Sequence, residues 1–444
     1  MKTLARTIVF VAGCAIAACN TDLSPQYSIG GTVSGLIGSG LVLEYNSGND
    51  LSIGSNGAFS FATGVGTGAA YSVAVKTQPS NPTQICTVSG GAGTVDKADV
   101  TDVMVACRQT DRFAYVANAM SNNVSAFSIN STTGALTPIS GSPFTSTGTA
   151  PTALAIHPSG IYLYVANGGS NNVSAFSINS ASGALVAVGT PTASGSEPDA
   201  LYVDPTGSYL YVANFASDSV SAYAIDGTSG ALTELADSPF NVGKQPTSLK
   251  SDPSGSFLYV TDFKDANVAV LQIDSTTGSL SAISGSPFAA GAGAISIAID
   301  PAGEFAYVAN STAATISEYA IDPSTGALTL VPGSPLATGS GPQSLTINGS
   351  GTFLYAANVT GVNEVGVFSI AAPGGTLAPS GVAVTAGTLP IGVILDSAGR
   401  FAYVVNDTSN NISAYAVNAS TGALSQIVQS PFLAGNQPTS IVID

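Results

Sequence analysis

The sequence predicts an all-β protein, most of it a seven-bladed β-propeller, preceded by a small β-sandwich. Three observations predict the propeller. A stretch centred on tyrosine recurs at Tyr115, Tyr164, Tyr211, Tyr259, Tyr307, Tyr355 and Tyr403, with separations of 49, 47 and then four times 48 residues. Each interval holds four short apolar runs divided by turn residues, the pattern of antiparallel strands rather than helices. The ends of the repeat region are complementary: it begins near Arg112 with the second, third and fourth strands of a unit and stops at Asp444 after a lone first strand. Pairing the two fragments completes a blade and removes an exposed sheet edge.

Taken in order, the chain opens with Lys2 and Arg6 followed by an apolar run from Ile8 to Ala18, too short to span a bilayer. Residues 1–18 therefore read as a secretory signal peptide. Ile16-Ala17-Ala18-Cys19 resembles the bacterial lipobox, which makes Cys19 the expected lipidation site, with Val11-Ala12-Gly13-Cys14 as the rival. Residues 19–26 would be a tether, and acyl chains would hold the protein at a membrane. Asn20, in place of the aspartate linked to inner-membrane retention, implies the outer membrane or cell surface. Without Lys2 and Arg6, 8 basic residues face 26 acidic ones, a charge near −18. Such a surface disfavours nucleic acid and anionic headgroups as partners.

Residues 27–108 lack the tyrosine repeat. Short alternating runs such as Gly40-Leu-Val-Leu-Glu-Tyr45 and Val103-Met-Val-Ala-Cys107 read as a β-sandwich, immunoglobulin-like in a loose sense. Cys86 and Cys107 are the cysteines left once the leader and anchor are set aside, and in an exported protein they are expected to form a disulfide.

Residues 109–444 are assigned to the propeller, closed by a last strand over 438–444. Each unit starts with strand A, for example Pro198 to Asp204, in which small residues (Ala153, Ser248, Ser440) precede large ones (Leu154, Leu249, Ile441). That gradient suits a crowded inner strand. Strand B, as in Tyr209-Leu-Tyr-Val-Ala213, is apolar on both faces, as a doubly covered strand should be. Strand C, such as Val124 to Ile129, leads through a glycine turn (Gly134, Gly183, Gly230) to a more polar outer strand D.

The recurring Asp-Pro-x-Gly-x-Phe/Tyr-Leu/Ala-Tyr-Val-Ala-Asn and the later Thr-Gly-Ala-Leu resemble the seven-bladed lactonase family, which includes 6-phosphogluconolactonase-like proteins, and related surface-layer YVTN propellers. The resemblance covers residues 112–444. It implies histidine, arginine and acidic residues at the mouth formed by the D-to-A loops, where they would activate water and stabilise an oxyanion. This chain has no histidine there. His157 sits in the turn after strand A, at the opposite mouth, where capping is its expected role; Arg108, Arg112 and Arg400 lie at the domain junction or in a blade-entry turn.

What departs from the repeat is a charged group on blades two to four. Six repeats end strand B with Asn, but the fourth has Asp262, followed by Lys264 and Asp265. Tyr202 and Lys250 replace small or aliphatic residues of strand A, and Glu197, Asp199 and Lys244 complete the candidate ligand site. No catalytic residue is assigned, and no metal site or cofactor is expected. Two functions follow. The preferred one is a membrane-tethered, monomeric propeller in the cell envelope that binds a protein, a glycan or a small polar ligand without catalysis. The alternative is a lactone hydrolase.

Overall fold

The computed structural model describes residues 25–79, 84–109, 112–359 and 363–444. The signal peptide, Cys14, Cys19 and all but the last two tether residues lie outside the described residues. The chain divides into two compact units between residues 108 and 109.

In the first unit, one four-stranded sheet runs in the order Gly57–Ser60, Ile29–Ser34, Val100–Gln109, Gln84–Ser89, and a second in the order Asn49–Ile53, Leu41–Tyr45, Ala70–Thr77, Ala92–Thr94. Alternation explains the strands: Leu41, Leu43 and Tyr45 are buried with Ile29, Val33, Val103 and Val105 in one core, while Met104 points outward. Cys86 and Cys107 are disulfide-bonded. Closing a loop of this length stabilises a small domain by roughly 3 kcal/mol in the chain-entropy model. The bridge joins neighbouring strands of one sheet, whereas an immunoglobulin disulfide spans two sheets. Ile29–Ser34 and Val100–Gln109 also pair in parallel. The sandwich is therefore two sheets around one core, and its topology does not establish the immunoglobulin-like part of the expectation.

The second unit is a ring of seven antiparallel sheets, each ordered A, B, C, D. Blades two to seven begin with strands A at Pro151–Ile156, Pro198–Val203, Pro246–Ser251, Ala294–Ile299, Pro342–Ile347 and Pro390–Leu395. Blade one takes strands B, C and D from residues 113–145 and its strand A from Pro438–Ile443, with Tyr115 opposite Val442 and Val116 opposite Ile441. Asp444 Oδ1 accepts hydrogen bonds from the backbone N–H of Arg112 (2.7 Å) and Phe113 (2.9 Å). In blade five the same contact, Phe305 N–H to Asp300 Oδ1, is made within one turn. Closure thus repeats across the chain ends what each Asp-Pro-x-Gly turn does locally.

Strand B is buried along its whole length in blade one, Phe113 to Asn118, because neighbouring blades cover both faces. Its tyrosine reaches the next blade: the hydroxyl of Tyr115 donates to the carbonyl of Gly183 (2.9 Å), Tyr164 to Gly230 (3.1 Å), and, around the seam, Tyr403 to Gly134 (2.9 Å). Tyr355 is the exception, its buried hydroxyl having no partner among the described residues. Arg112 and Arg400 likewise tie a blade to its neighbour, donating to the carbonyls of Ser180 and Ser131. The small residues of strand A have a physical reason too. Ser440, Ser248, Ser296 and Ser344 accept from the backbone N–H of the next inner strand at 3.1–3.4 Å, which a larger side chain would prevent.

Candidate functional site

The D-to-A and B-to-C loops meet at one mouth. In blade three, Phe215 N–H donates to the carbonyl of Glu197 (2.8 Å) and Ala216 N–H to that of Ser196 (3.2 Å). The asparagines that end strand B hold these loops from below. Asn310 Oδ1 accepts from Gly291 N–H (3.0 Å), and its Nδ2 donates to Ser317 Oγ (2.9 Å); Asn406 and Asn118 bind Gly387 and Gly435 in the same way. Asn118, Asn310 and Asn406 thus clamp their mouth loops, whereas Oδ1 of Asn167, Asn214 and Asn358 makes no such bond.

Two adjoining cavities open on this mouth at blades two to four. The first, about 400 Å³, is walled by Gly168, Gly169 and Thr152 of blade two and by Glu197, Asp199 and Phe215 of blade three. The second, about 330 Å³, shares Glu197 and Phe215 and adds Asp218, Lys244, Gln245 and Lys264. Asp199 occupies the second position of strand A. Thr152, Thr247 and Thr439, at the same position, donate to the carbonyls of Pro198, Ala294 and Pro151 on the next blade. A carboxylate cannot donate. Asp199 has no hydrogen-bond partner among the described residues, and desolvation, with a smaller contribution from Glu197, pushes its carboxyl up to about 7.

The structure thus brings Glu197, Asp199, Lys244 and Lys264 to the two cavities. The other predicted site residues lie elsewhere. Tyr202 and Lys250 are at the fifth position of strand A; the Tyr202 hydroxyl is 2.7 Å from Ser251 Oγ, and Lys250 Nζ lies 5.4 Å from the Tyr202 ring centroid. Burial lowers the Lys250 amine below its ordinary range. Asp262 is wholly buried beneath the mouth, and Asp265 spends its carboxylate on Lys244 N–H (2.9 Å). His157 caps its turn, its Nδ1 accepting from Ser159 N–H (3.0 Å) and its Nε2 facing the carbonyl of Gly207 (2.9 Å); desolvation lowers its pKa. Among the described residues, no group of three His, Cys, Asp or Glu is placed to hold a metal ion, and no helix is long and apolar enough to cross a membrane.

Sequence reasoning missed Phe215, the wall between the cavities, and the glycine pair Gly168-Gly169 opposite Asp199. A signal was present. The residue after the last position of strand B is Ala119, Gly168, Ser311, Val359 or Asp407 in five blades but aromatic at Phe215 and Phe263.

Comparison with known proteins agrees with this architecture. A proposed 6-phosphogluconolactonase from Bacteroides uniformis ATCC 8492 superposes with a TM-score of 0.66 at 20% identity, covering 75% of this chain and 100% of its own. A periplasmic gluconolactonase of Pseudomonas aeruginosa gives 0.65 at 18% identity, covering 74% of this chain and 98% of its own. At such identities the likeness shows the fold alone. No curated protein matches the sequence. The profile of the family described as lactonase, 7-bladed beta-propeller, matches residues 104–248 and 242–443, so the chain belongs to that family.

Proposed function

We propose that the protein is a lactone hydrolase of the cell envelope whose substrate occupies the mouth cavity of blades two and three, with Asp199 as general base. The observation that carries this reading is Asp199 itself: a carboxyl without a partner, in a cavity of about 400 Å³, pushed up to about 7 by desolvation and Glu197. A base poised near the working pH takes a proton from water while remaining largely available, which is what attack on a lactone carbonyl requires. Water adds to the carbonyl carbon as Asp199 removes its proton. The tetrahedral intermediate then collapses with cleavage of the ring C–O bond, and the proton passes to the departing alkoxide. Desolvation, with a smaller contribution from like-charge repulsion by Glu197, keeps Asp199 basic, and Lys244 and Lys264 line the adjoining cavity with positive charge.

We expect Asp199→Asn to lower kcat on a responsive lactone about 100-fold or more with little change in KM, the contribution typical of a general base. Wild-type turnover in this variant would exclude Asp199 as the base. A second reading is favoured by the absence of histidine and arginine from both cavity walls: a propeller that binds a polar ligand, glycan or protein without turning it over. A lactone panel left intact by the wild-type protein, together with saturable binding at this mouth, would select it.

The envelope location rests on the leader and on Cys19. Metabolic labelling with palmitate is expected to mark the protein and to fail after Cys19→Ala. Label that survives this change and disappears with Cys14→Ala would move the anchor to Cys14.

A further inference from the structure

Strand B ends differently in blade four, and the difference leaves three buried oxygens without a side-chain donor. In blade two the amide of Asn167 donates to Asn172 Oδ1 (2.9 Å) and Ser174 Oγ (2.9 Å). Asn406 does the same with Asn411 Oδ1 (2.8 Å) and Ser413 Oγ (3.0 Å). In blade four the corresponding residues are Asp262, Asn267 and Ala269. The substitution removes the amide donor and the serine hydroxyl together. Asp262 is fully buried, and both its carboxylate oxygens and Asn267 Oδ1 lack any hydrogen-bond partner. An ionised carboxylate in such a place carries the whole cost of desolvation, and two acceptors opposed to each other repel.

We propose that Asp262 is held as a neutral carboxylic acid which donates to Asn267 Oδ1, replacing the asparagine amide of the other blades with a bond that exists only while the proton is bound. The surroundings favour the proton. The charged groups that act on Asp262 are Asp265 on its own B-to-C loop and Asp218 on blade three, both acidic. Lys244, on the facing D-to-A loop, and Lys264 form no ion pair with it. Desolvation, the largest influence, together with these two acids outweighs the opposing backbone N–H groups of Gly243 and Ala269 and pushes Asp262 up to about 7. The site lies directly under Gly243, against which the carboxylate packs. The next residues, Lys244 and Gln245, line the second cavity and are tied by their N–H groups to Asp265 and Asp218. Ionisation of Asp262 places a third negative charge beneath this lip and withdraws the side-chain hydrogen bond that reinforces the backbone pairing of Asp262 with Asn267. Blade four therefore carries a proton sensor under one of the two cavities.

The sign follows from linkage. An acid whose folded pKa is raised stabilises the fold fully below its unfolded pKa, near 4, and that contribution is lost as pH rises through about 7. Asp262→Asn supplies a permanent donor of the kind Asn118, Asn167, Asn214, Asn310 and Asn406 already use, so it is expected to fold. Equilibrium unfolding of the two proteins should show the ratio of wild-type to variant folding constants falling by up to about 1,000-fold between pH 4 and pH 8. The carbon-13 signal of the Asp262 carboxyl should report the neutral acid at pH 5, and Ala269→Ser, which returns a hydroxyl donor, should move its titration to lower pH. A ratio that does not vary with pH, or an ionised carboxyl at pH 5, would overturn the proposal in favour of an Asn267 amide turned to donate. Wild-type stability that rises selectively with added sodium, potassium or calcium would overturn it in favour of a bound cation.

Discussion

Removal of residues 438–444 is expected to abolish the cooperative unfolding transition of the propeller. These residues supply the inner strand of blade one, and without them strand B of that blade loses the ladder that sets Ala114 opposite Ile443 and Ala117 opposite Ser440. Buried Ile441 leaves the core it shares with Val116, Tyr403 and Val405. The turn cap of Asp444 on Phe113 goes as well. A handful of hydrogen bonds at about 1 kcal/mol each and two or three aliphatic side chains at about 2 kcal/mol each come to roughly 5–10 kcal/mol, comparable to the whole stability of a typical domain. The test is thermal unfolding and size-exclusion chromatography of the truncated protein. A monomer that melts within a few degrees of the full chain would show that the ring does not depend on this strand.

Gly230→Val is expected to be strongly damaging for a single substitution in a surface turn. Gly230 has φ +75°, and a Cβ there would fall within the Tyr162 ring of the preceding blade. Its carbonyl also accepts the buried hydroxyl of Tyr164 at 3.1 Å. A β-branched residue at positive φ costs about 1–3 kcal/mol, overpacking against the ring about 1–3 more, and loss of the tyrosine bond about 1. Together these predict a loss of roughly 4 kcal/mol. Gly227, three residues earlier in the same turn, has no atom within 4 Å of its would-be Cβ, so Gly227→Val is the matched control and should change stability little. Equal denaturant midpoints for the two variants would refute this account of how blades are joined.

The blades were legible in the sequence because each must meet the same packing demands. Tyrosine, glycine and the aspartate of the turn recur where one blade touches the next, so a bond between neighbours is written as a repeat. The site was legible only as a set of departures, and sequence spacing does not say where a departure points. Asp199 and Tyr202 are three residues apart on one strand, yet Asp199 walls the mouth cavity while the Tyr202 hydroxyl bonds to Ser251 of the next blade. Asp262 reads from the sequence as part of the ligand site, but covered strands on both sides bury it completely. Phe215 escaped notice because an aromatic residue in a loop resembles ordinary apolar filler until the cavities on either side of it are seen. Nor could spacing show that Cys86 and Cys107 sit on adjacent strands of one sheet.

A ring of near-identical blades is a dial without a mark: turned by one unit, it presents the same mouth, and an asymmetric molecule has no reason to settle in one orientation. The threonine-to-aspartate change at Asp199 and the aromatic step at Phe215 occur side by side on blade three. With the neighbouring departures of blade four at Asp262 and Phe263, they break the rotation over one arc of the ring and give the mouth a direction. The turns and inter-blade tyrosines that hold the ring recur regardless, so such a mark can be redrawn on another arc without altering how the ring is held together.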